Sequence, residues 1–271
     1  MKQILLYTLF IYSVTISYAQ SIDFGYTDTF WADYDIQNIS NQKDSEKVLF
    51  KYIYGLSKMN NSSKTQQIHF FTQHPNQTEE TLLFYLEIFD KTLFNPNSPF
   101  RNEGLYEIIL KEFKNNPLIN ELYKERIKYQ LNVIDKNRVG DLANNFNFEV
   151  DGKVKNLYSI VSPYTLLVFT NSECPSCIEN YKEIDKSSVL REKIDMQKLK
   201  VLMIDNSGKP SFYKDDHWLW AKDIDNIVDE DKLYYTPALP SIYLLDKDKR
   251  VILKDCPLQS VSNYFNNIGY L

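Results

Sequence analysis

Two cysteines stand where an apolar strand pattern changes into a helical one. The run Tyr164–Thr170 has the apolar character of a buried strand, and Cys174-Pro175-Ser176-Cys177 follows it. The next segment, Ile178–Ile184, has the pattern of a helix. The first cysteine is therefore expected at a helix N-terminus, where unpaired N–H groups and the helix dipole favour a thiolate. Because only the thiolate exchanges disulfides, the motif predicts redox chemistry.

Two other uses of a C-x-x-C pair are a zinc site and a structural disulfide. Zinc takes four ligands, and the further candidates Cys256, His69, His74 and His217 contain no second close pair. We therefore predict no metal and no cofactor. A structural disulfide stays open as the alternative, and it would make the protein a non-catalytic binding or adaptor protein with a dormant disulfide.

Composition and charge narrow the class of protein further. Hydrophobic residues make up 43% of the 271 residues, which is enough for one large or two ordinary cores. The formal net charge is −5 and there is no basic tract, so nucleic acid is excluded as an expected partner. Three cysteines are too few for a disulfide scaffold.

Residues 1–19 have the pattern of a cleaved export signal. Lys2 supplies the positive start, Ile4–Val14 the apolar core, and Ser17-Tyr18-Ala19 the small-x-small cleavage site. The core is shorter than the roughly 18 residues that a membrane span needs, so membrane contact is not expected, although an uncleaved anchor is the alternative. Cleavage after Ala19 predicts a periplasmic protein, in a compartment where disulfides form.

The first part of the mature chain, residues 20–139, predicts a small all-α helical domain. Apolar residues recur at helical spacing between Phe30 and Asp135, and we interpret their aromatic members as core and not as a cofactor site. Ser62 and Thr78 are the predicted N-caps, and Ser98 is expected to cap a helix that begins at Pro99.

From residue 140 the pattern becomes that of an α/β domain, which we place at 140–271. Phe146–Val150 and Lys153–Leu157 predict a β-hairpin around an Asp-Gly turn. A strand is expected next at Lys200–Asp205, followed by a helical or looping stretch that contains Trp218 and Trp220. Two further strands, Ser241–Leu245 and Arg250–Lys254, and a closing helix, Leu258–Tyr270, complete the predicted order.

A second motif, Leu239-Pro240-Ser241, directly precedes one of these strands. With the C-x-x-C and the element order, it makes residues 140–271 resemble the thioredoxin superfamily, in particular its exported TlpA/ResA-like branch. The segment Pro240–Val251 is typical of that branch. Residues 30–139 resemble an uncharacterised helical domain that precedes such folds in exported bacterial proteins, on the segments Pro96–Glu103 and Asn137–Asp141.

The resemblance implies a thioredoxin-like fold and a thiol–disulfide oxidoreductase that acts on protein thiols and disulfides. Cys174 and Cys177 would be the catalytic residues, with Cys174 attacking, because it is nearer the helix start, and Cys177 resolving. Leu239 and Pro240 would bind substrate, because the superfamily has a cis-proline here whose backbone pairs with an extended substrate segment. Pro237 is the rival position. An upstream membrane electron donor is a further partner compatible with the family.

The sequence departs from thioredoxin proper at the motif. Glu173 and Pro-Ser replace the usual Trp and Gly-Pro, and Glu173 disfavours a second negative charge beside it. Val168 stands where thioredoxin keeps a buried aspartate, so another group or water has to accept the proton. Asn171 or Ser172 is expected to cap the helix. The interpretation of Cys256 stays open between an inert buried thiol, which we favour, a reactive thiol and an intermolecular partner.

Overall fold

A computed structural model describes residues 30–31, 36–37, 42–205, 207, 217–224 and 233–268. The predicted export signal lies outside these residues. The chain divides into two compact units. The first unit contains the chain up to Lys91 together with Gly104–Glu121, and the second unit contains Thr92–Glu103 together with the chain from Leu122 onward. The boundary predicted after residue 139 stays a prediction.

Five α-helices come first in the described part of the chain. They are α1 (Gln42–Ser57), α2 (Asn61–Thr72), α3 (Glu79–Phe89), α4 (Glu103–Asn115) and α5 (Glu121–Asp135), with a π-helical turn, Asp90–Phe94, after α3. None of the described helices is long and apolar enough to cross a membrane.

The helix starts test three sequence predictions. Thr78 caps α3 as predicted, in a reciprocal pair of hydrogen bonds with Thr81. Ser62 was the wrong cap for α2, because the side chain of Asn60 accepts from the N–H of Ser63 instead. The prediction of a helix start at Pro99 was also wrong. Ser98 donates its hydroxyl to the carbonyl of Thr92, which stabilises a turn ahead of α4.

An aromatic cluster forms the core of the first unit. The rings of Trp31, Tyr52, Tyr85 and Phe113 surround Phe71, all of them buried. The ring centroids of Trp31 and Phe71 lie 4.7 Å apart, and those of Phe71 and Tyr85 lie 5.4 Å apart at an interplanar angle of 86°. Edge-to-face pairs of this kind contribute roughly 0.5–1.5 kcal/mol beyond the burial of their area. The structure therefore agrees with the interpretation of these aromatic residues as core.

The second unit is built on a seven-stranded mixed sheet with the order β2-β1-β5-β4-β3-β6-β7. The strands are β1 (Asn147–Val150), β2 (Lys153–Asn156), β3 (Tyr164–Thr170), β4 (Leu199–Asp205), β5 (Trp218–Asp223), β6 (Ser241–Leu245) and β7 (Val251–Leu253). The helices of this part are α6 (Pro175–Lys186), α7 (Ser188–Asp195) and α8 (Leu258–Ile268). β3, β4 and β5 are parallel, and β6 and β7 are antiparallel to their neighbours.

Local sequence chemistry explains the hairpin but not β5. Asp151 and Gly152 both have positive φ, 51° and 72°, as a two-residue hairpin turn requires. The segment with Trp218 and Trp220, predicted as helical or looping, is a strand between β4 and β1. Its pairing with two neighbours overrides the weak local pattern, because strand preference depends on cross-strand packing.

The central strand β3 separates two hydrophobic cores. Leu166 and Val168 point to one face, into a core that contains Cys177 and Tyr181. Leu167 and Phe169, with their neighbours, form the core of the other face. This alternation follows from the two-residue period of a strand, and it places Leu166 and Val168 in the same core as Cys177 of the C-x-x-C motif.

Candidate redox site

Cys174 is the N-cap residue of α6, and Pro175 is the first residue of that helix. Cys174 is half-buried and both motif cysteines are free thiols. The prediction that Asn171 or Ser172 caps α6 was wrong. Asn171 accepts from the N–H of Glu173, and Ser172 bonds to Asp205, so no side chain caps the helix. The unpaired donors of the first turn are thus left to face the Cys174 sulfur.

The environment of Cys174 favours its thiolate. Burial by itself would raise the pKa of Cys174, but hydrogen bonds from the Ser176 hydroxyl and from the Cys177 and Ser176 backbone N–H groups outweigh it. The Ser176 Oγ atom lies 2.9 Å from the Cys174 sulfur. The net result is a pKa below the ordinary value, in the direction expected of a thiol at a helix start.

Cys177 lies one turn into α6 and is fully buried. Burial raises the pKa of its thiol to about 11, although the Thr170 hydroxyl and the backbone N–H of Asn171 hydrogen-bond to the sulfur and oppose the rise. A nearby Cys174 thiolate raises the pKa further. The pKa values of two cysteines three residues apart are therefore displaced in opposite directions.

The Leu239–Pro240 peptide bond is cis, and no other cis bond occurs among the described residues. Pro240 directly precedes β6, whose first residue, Ser241, is paired with Phe169 near the end of β3. Ser176 donates its hydroxyl to the Leu239 carbonyl at 3.1 Å. The structure thus brings Leu239 and Pro240 beside the C-x-x-C turn, and it gives Pro240 the isomer that the resemblance implied, in preference to Pro237.

A buried charge cluster supports the Pro240 loop from within the second unit. The hydroxyl of Ser241 donates to the Asp255 carboxylate at 2.7 Å. Arg101 pairs with that carboxylate and also donates to the Asp255 carbonyl at 2.9 Å. Glu103 completes the cluster, because it pairs with Arg101 at 2.6 Å and with Lys254 at 2.8 Å. Sequence reasoning missed this cluster, since Arg101 and Asp255 lie far apart in the chain.

Cys256 follows the cluster and has the properties of an inert thiol. Its backbone N–H donates to the carbonyl of Ile242 at 3.1 Å, and its side chain packs against the same core as Cys174. Burial and then the charge of Asp255 raise its pKa to about 12. A thiol with so little thiolate at neutral pH is a poor nucleophile, which supports the inert interpretation.

The histidines do not join the redox site. His69 lies in α2, with its Nδ1 atom 3.1 Å from Glu112. His74 accepts from the N–H of Asn76, and His217 is exposed. Within the described part of the chain, no group of three or more His, Cys, Asp or Glu residues could hold a metal ion.

Comparison with known proteins agrees with the fold. Residues 25–137 match a family model described as a domain of unknown function, DUF5106. A thioredoxin-like protein from Bacteroides caccae has a solved structure that is 26% identical, with 89% of this chain and 90% of that chain covered and a TM-score of 0.79. No curated protein matches.

Two further solved structures each cover about half of this chain. One is the C-terminal domain of an uncharacterised protein from Bacteroides fragilis, 33% identical, covering 48% of this chain and 98% of that chain, with a TM-score of 0.44. The other is a domain of a possible thiol-disulfide isomerase from Cytophaga hutchinsonii, 23% identical, covering 50% and 96% respectively, with a TM-score of 0.40.

The fold and the C-x-x-C site define a thioredoxin-like protein. More particularly, this chain joins a helical region that matches DUF5106 to a thioredoxin-like domain. The predicted fold class and the resemblance to the thioredoxin superfamily are confirmed.

Proposed function

We propose that the protein is an exported thiol–disulfide oxidoreductase that reduces or exchanges disulfides of other proteins through Cys174 and Cys177. The observation that carries this proposal is the placement of the two thiols, with Cys174 half-buried as the N-cap residue of α6 and Cys177 fully buried one turn into that helix. This placement lowers the pKa of Cys174 and raises that of Cys177. An attacking thiol needs a thiolate, whereas a resolving thiol has to wait as S–H until a mixed disulfide has formed.

The reaction begins when the Cys174 thiolate attacks one sulfur of a substrate disulfide. A bond forms between Cys174 and that sulfur, the substrate S–S bond breaks, and the other substrate sulfur leaves as a thiolate that takes up a proton. Cys177 then loses its proton and attacks the Cys174 sulfur. The second substrate thiolate leaves, so two electrons pass to the substrate and the two cysteines are left as a disulfide.

Leu239 and Pro240 are the proposed substrate contacts. They stand beside the Cys174 turn, and the Leu239 carbonyl is an acceptor that an extended polypeptide N–H can use. Backbone pairing of this kind recognises an unfolded or extended segment and not a particular side chain. The substrates are accordingly proteins with accessible disulfides, and nucleic acid is not a proposed partner because the net charge is −5.

Location and electron supply complete the proposal. The signal pattern of residues 1–19 supports export to the periplasm with cleavage after Ala19, and the domain limits proposed are 20–139 and 140–271. A reductant has to restore the dithiol after each turnover. In the cell this would be an upstream membrane electron donor, and in the test it is dithiothreitol.

Insulin reduction by dithiothreitol tests the proposal. We expect the mature protein to accelerate the precipitation of insulin chains and Cys174→Ser to abolish the acceleration. Cys256→Ser is the matched control, because it also removes a thiol but lies outside the motif, and it should keep the full rate. Absence of any acceleration by the unmutated protein would refute the enzyme and favour the adaptor with a dormant disulfide.

Capture of partners identifies the substrates. Cys177→Ser should leave a Cys174 mixed disulfide unresolved, so that covalent complexes accumulate in the exported protein fraction. The double variant Cys174→Ser, Cys177→Ser is the control and should capture nothing that dithiothreitol releases.

A further inference from the structure

The resolving step needs a proton acceptor that the superfamily position does not supply. Cys177 is fully buried, and the residue six positions before Cys174 is Val168, an apolar side chain of the same core. A buried S–H group has no direct access to water at this place. Some other polar group in contact with Cys177 has to carry the proton away.

Thr170 is the polar residue in contact with Cys177. Its side chain is fully buried at the end of β3, and a hydrogen bond from its hydroxyl opposes the rise in the pKa of Cys177 that burial causes. The same hydroxyl oxygen lies 2.6 Å from the phenol oxygen of Tyr181. Tyr181 is four residues after Cys177 on α6, so that both side chains lie on one face of the helix.

The chain of hydroxyls continues from Tyr181 to a carboxylate. Burial raises the pKa of Tyr181 to about 12, and a hydrogen bond with Ser172 opposes that rise. Ser172 in turn donates its hydroxyl to Asp205. Asp205 is the last residue of β4 and is paired in register with Thr170, which explains why the chain of hydroxyls ends there. The carboxylate also accepts from the backbone N–H groups of Ser172, at 3.4 Å, and of Ser207, at 2.8 Å.

We propose that the hydroxyls of Thr170, Tyr181 and Ser172 carry the proton of the Cys177 thiol to the carboxylate of Asp205. This inference rests on the proposed function and deepens it, because it assigns the base of the resolving step. Thr170 contacts the reacting sulfur of Cys177. Tyr181, Ser172 and Asp205 act on that sulfur only through Thr170, and they are therefore positioning residues. In this way Asp205, on the strand next to β3, replaces the aspartate that is absent at Val168.

The step balances without any further reactant. As the Cys177 sulfur forms its bond to Cys174, its proton passes to the Thr170 oxygen, and the Thr170 proton passes to Tyr181. Tyr181 gives its proton to Ser172, and Ser172 gives its proton to the Asp205 carboxylate. The bond between Cys174 and the substrate sulfur breaks and the substrate leaves as a thiolate, which is protonated by solvent. Asp205 then returns its proton to water when the relay resets.

Few charges act on this relay. Among the described residues, those that influence the pKa of Tyr181 through charge are Cys177 and Asp205, both of which raise it after the larger effect of burial. Cys174 raises the pKa of Cys177 through its charge. A purely electrostatic role of Asp205 and a role in the relay predict opposite effects when its charge is removed. Removal of the Asp205 charge would by electrostatics alone ease the ionisation of Cys177, whereas loss of the relay would slow its reaction.

An aromatic disulfide, dithiobis-nitrobenzoate, separates the two chemical steps. One equivalent is added to the reduced protein in a Cys256→Ser background. Attack by Cys174 releases the first coloured thiol at a rate that depends on reagent concentration. Resolution by Cys177 releases the second coloured thiol at a rate that is independent of reagent concentration. The first phase therefore tests the nucleophile and the second phase tests the relay.

We expect Tyr181→Phe, Asp205→Asn and Thr170→Val to slow the second phase by about tenfold or more at neutral pH, as loss of a general base does, and to leave the first phase unchanged. Their deficit should narrow as pH rises towards the pKa of Cys177, because thiolate then forms without a base. Tyr243→Phe is the matched control. Tyr243 is also fully buried, its hydroxyl donates to the Tyr235 carbonyl at 3.2 Å in the other core, and its loss should leave both phases unchanged.

Four outcomes would overturn the inference. A second phase that stays at the unmutated rate in Tyr181→Phe, which removes only one oxygen and keeps the ring, is sufficient even if Asp205→Asn does not fold. A second phase that becomes faster in Asp205→Asn would show that Asp205 acts only through its charge. A release of one thiol alone by the unmutated protein would refute the proposed function, and the relay with it. Release of both thiols at the unmutated rates by all three variants would refute the relay but would leave the proposed function standing.

Discussion

The hydroxyl of Ser176 donates a hydrogen bond to the carbonyl oxygen of Leu239, 3.1 Å away. The oxygen of that Ser176 hydroxyl also lies 2.9 Å from the Cys174 sulfur. A hydroxyl has one proton and can donate it to one partner at a time. With Cys174 as a thiol, its S–H can donate to Ser176 while Ser176 donates to Leu239. With Cys174 as a thiolate, the Ser176 proton is drawn to the sulfur, which leaves the Leu239 carbonyl available to a substrate N–H.

Ser176→Ala is predicted to raise the pKa of Cys174. The change removes the largest of the hydrogen bonds that lower it, and a bond to a charged group contributes roughly 1.5–3 kcal/mol. Because Cys174 is half-buried, solvent replaces part of this bond, and we expect a rise in pKa smaller than the full contribution of such a bond. The measurement is the pH dependence of iodoacetamide alkylation in a chain with Cys174 as its one cysteine. Ser188→Ala, at an exposed serine of α7, is the control and should titrate like the parent, and an unshifted curve for Ser176→Ala would contradict the prediction.

The reduced protein is predicted to lose stability in alkaline solution because of Cys177. Its pKa rises from the ordinary 9.0 to about 11 on folding, mainly through burial. The unfolded state therefore ionises first, and the contribution of the thiol to stability is complete below pH 9.0 and is lost between 9.0 and about 11. The difference corresponds to about 2–3 kcal/mol.

Urea unfolding at a series of pH values tests this alkaline loss. Cys177→Ala should be less stable than the parent at neutral pH, because a buried group is removed, but it should lose less stability across the alkaline window. Cys256→Ala needs to be measured in parallel, since its pKa also rises, to about 12. Parallel stability curves for Cys177→Ala and the parent would show that the buried thiol is not the cause.

Arg101→Ala is predicted to destabilise the protein by about 3–5 kcal/mol, because it leaves the buried Asp255 carboxylate without its partner. The exposed fractions of the two side chains are 14% and 7%, so solvent compensates little. The double variant Arg101→Ala, Asp255→Asn should be less destabilised than the sum of the single changes. Lys182→Ala, which breaks the exposed pair with Glu179, is the control and should cost no more than about 1 kcal/mol. Additive losses in the double variant would contradict the pairing.

The fragment 20–139 is predicted to fold without the redox domain. The aromatic cluster around Phe71 supplies a core within the first compact unit, so the fragment should be helical and should melt cooperatively. The measurement is circular dichroism with a thermal scan. The complementary fragment 140–271 lacks Arg101 and Glu103, and we expect it to be less stable than the Arg101→Ala variant. An aggregated or non-cooperative fragment 20–139 would argue against the boundary.

Several elements followed from short-range chemistry. The Asp-Gly turn, the Thr78 cap and the apolar run of β3 each depend on residues within a few positions, and each occurs as expected. The wrong predictions at Ser98 and Ser172 also concern short-range chemistry. In both cases the hydroxyl has a partner outside the predicted helix start, and that partner competes for it.

The sequence by itself determined that a strand ends in a C-x-x-C motif at the start of a helix, because strand period, helix spacing and the helix N-terminus are properties of adjacent residues. The tertiary structure alone decided which groups surround the two thiols. Ser172 and Asp205 are 33 positions apart and Arg101 and Asp255 are 154 apart, and they meet because the chain returns beside itself. Strand β5 and the hydroxyl relay have the same origin, since strand pairing and register bring distant residues together without leaving any local pattern in the sequence.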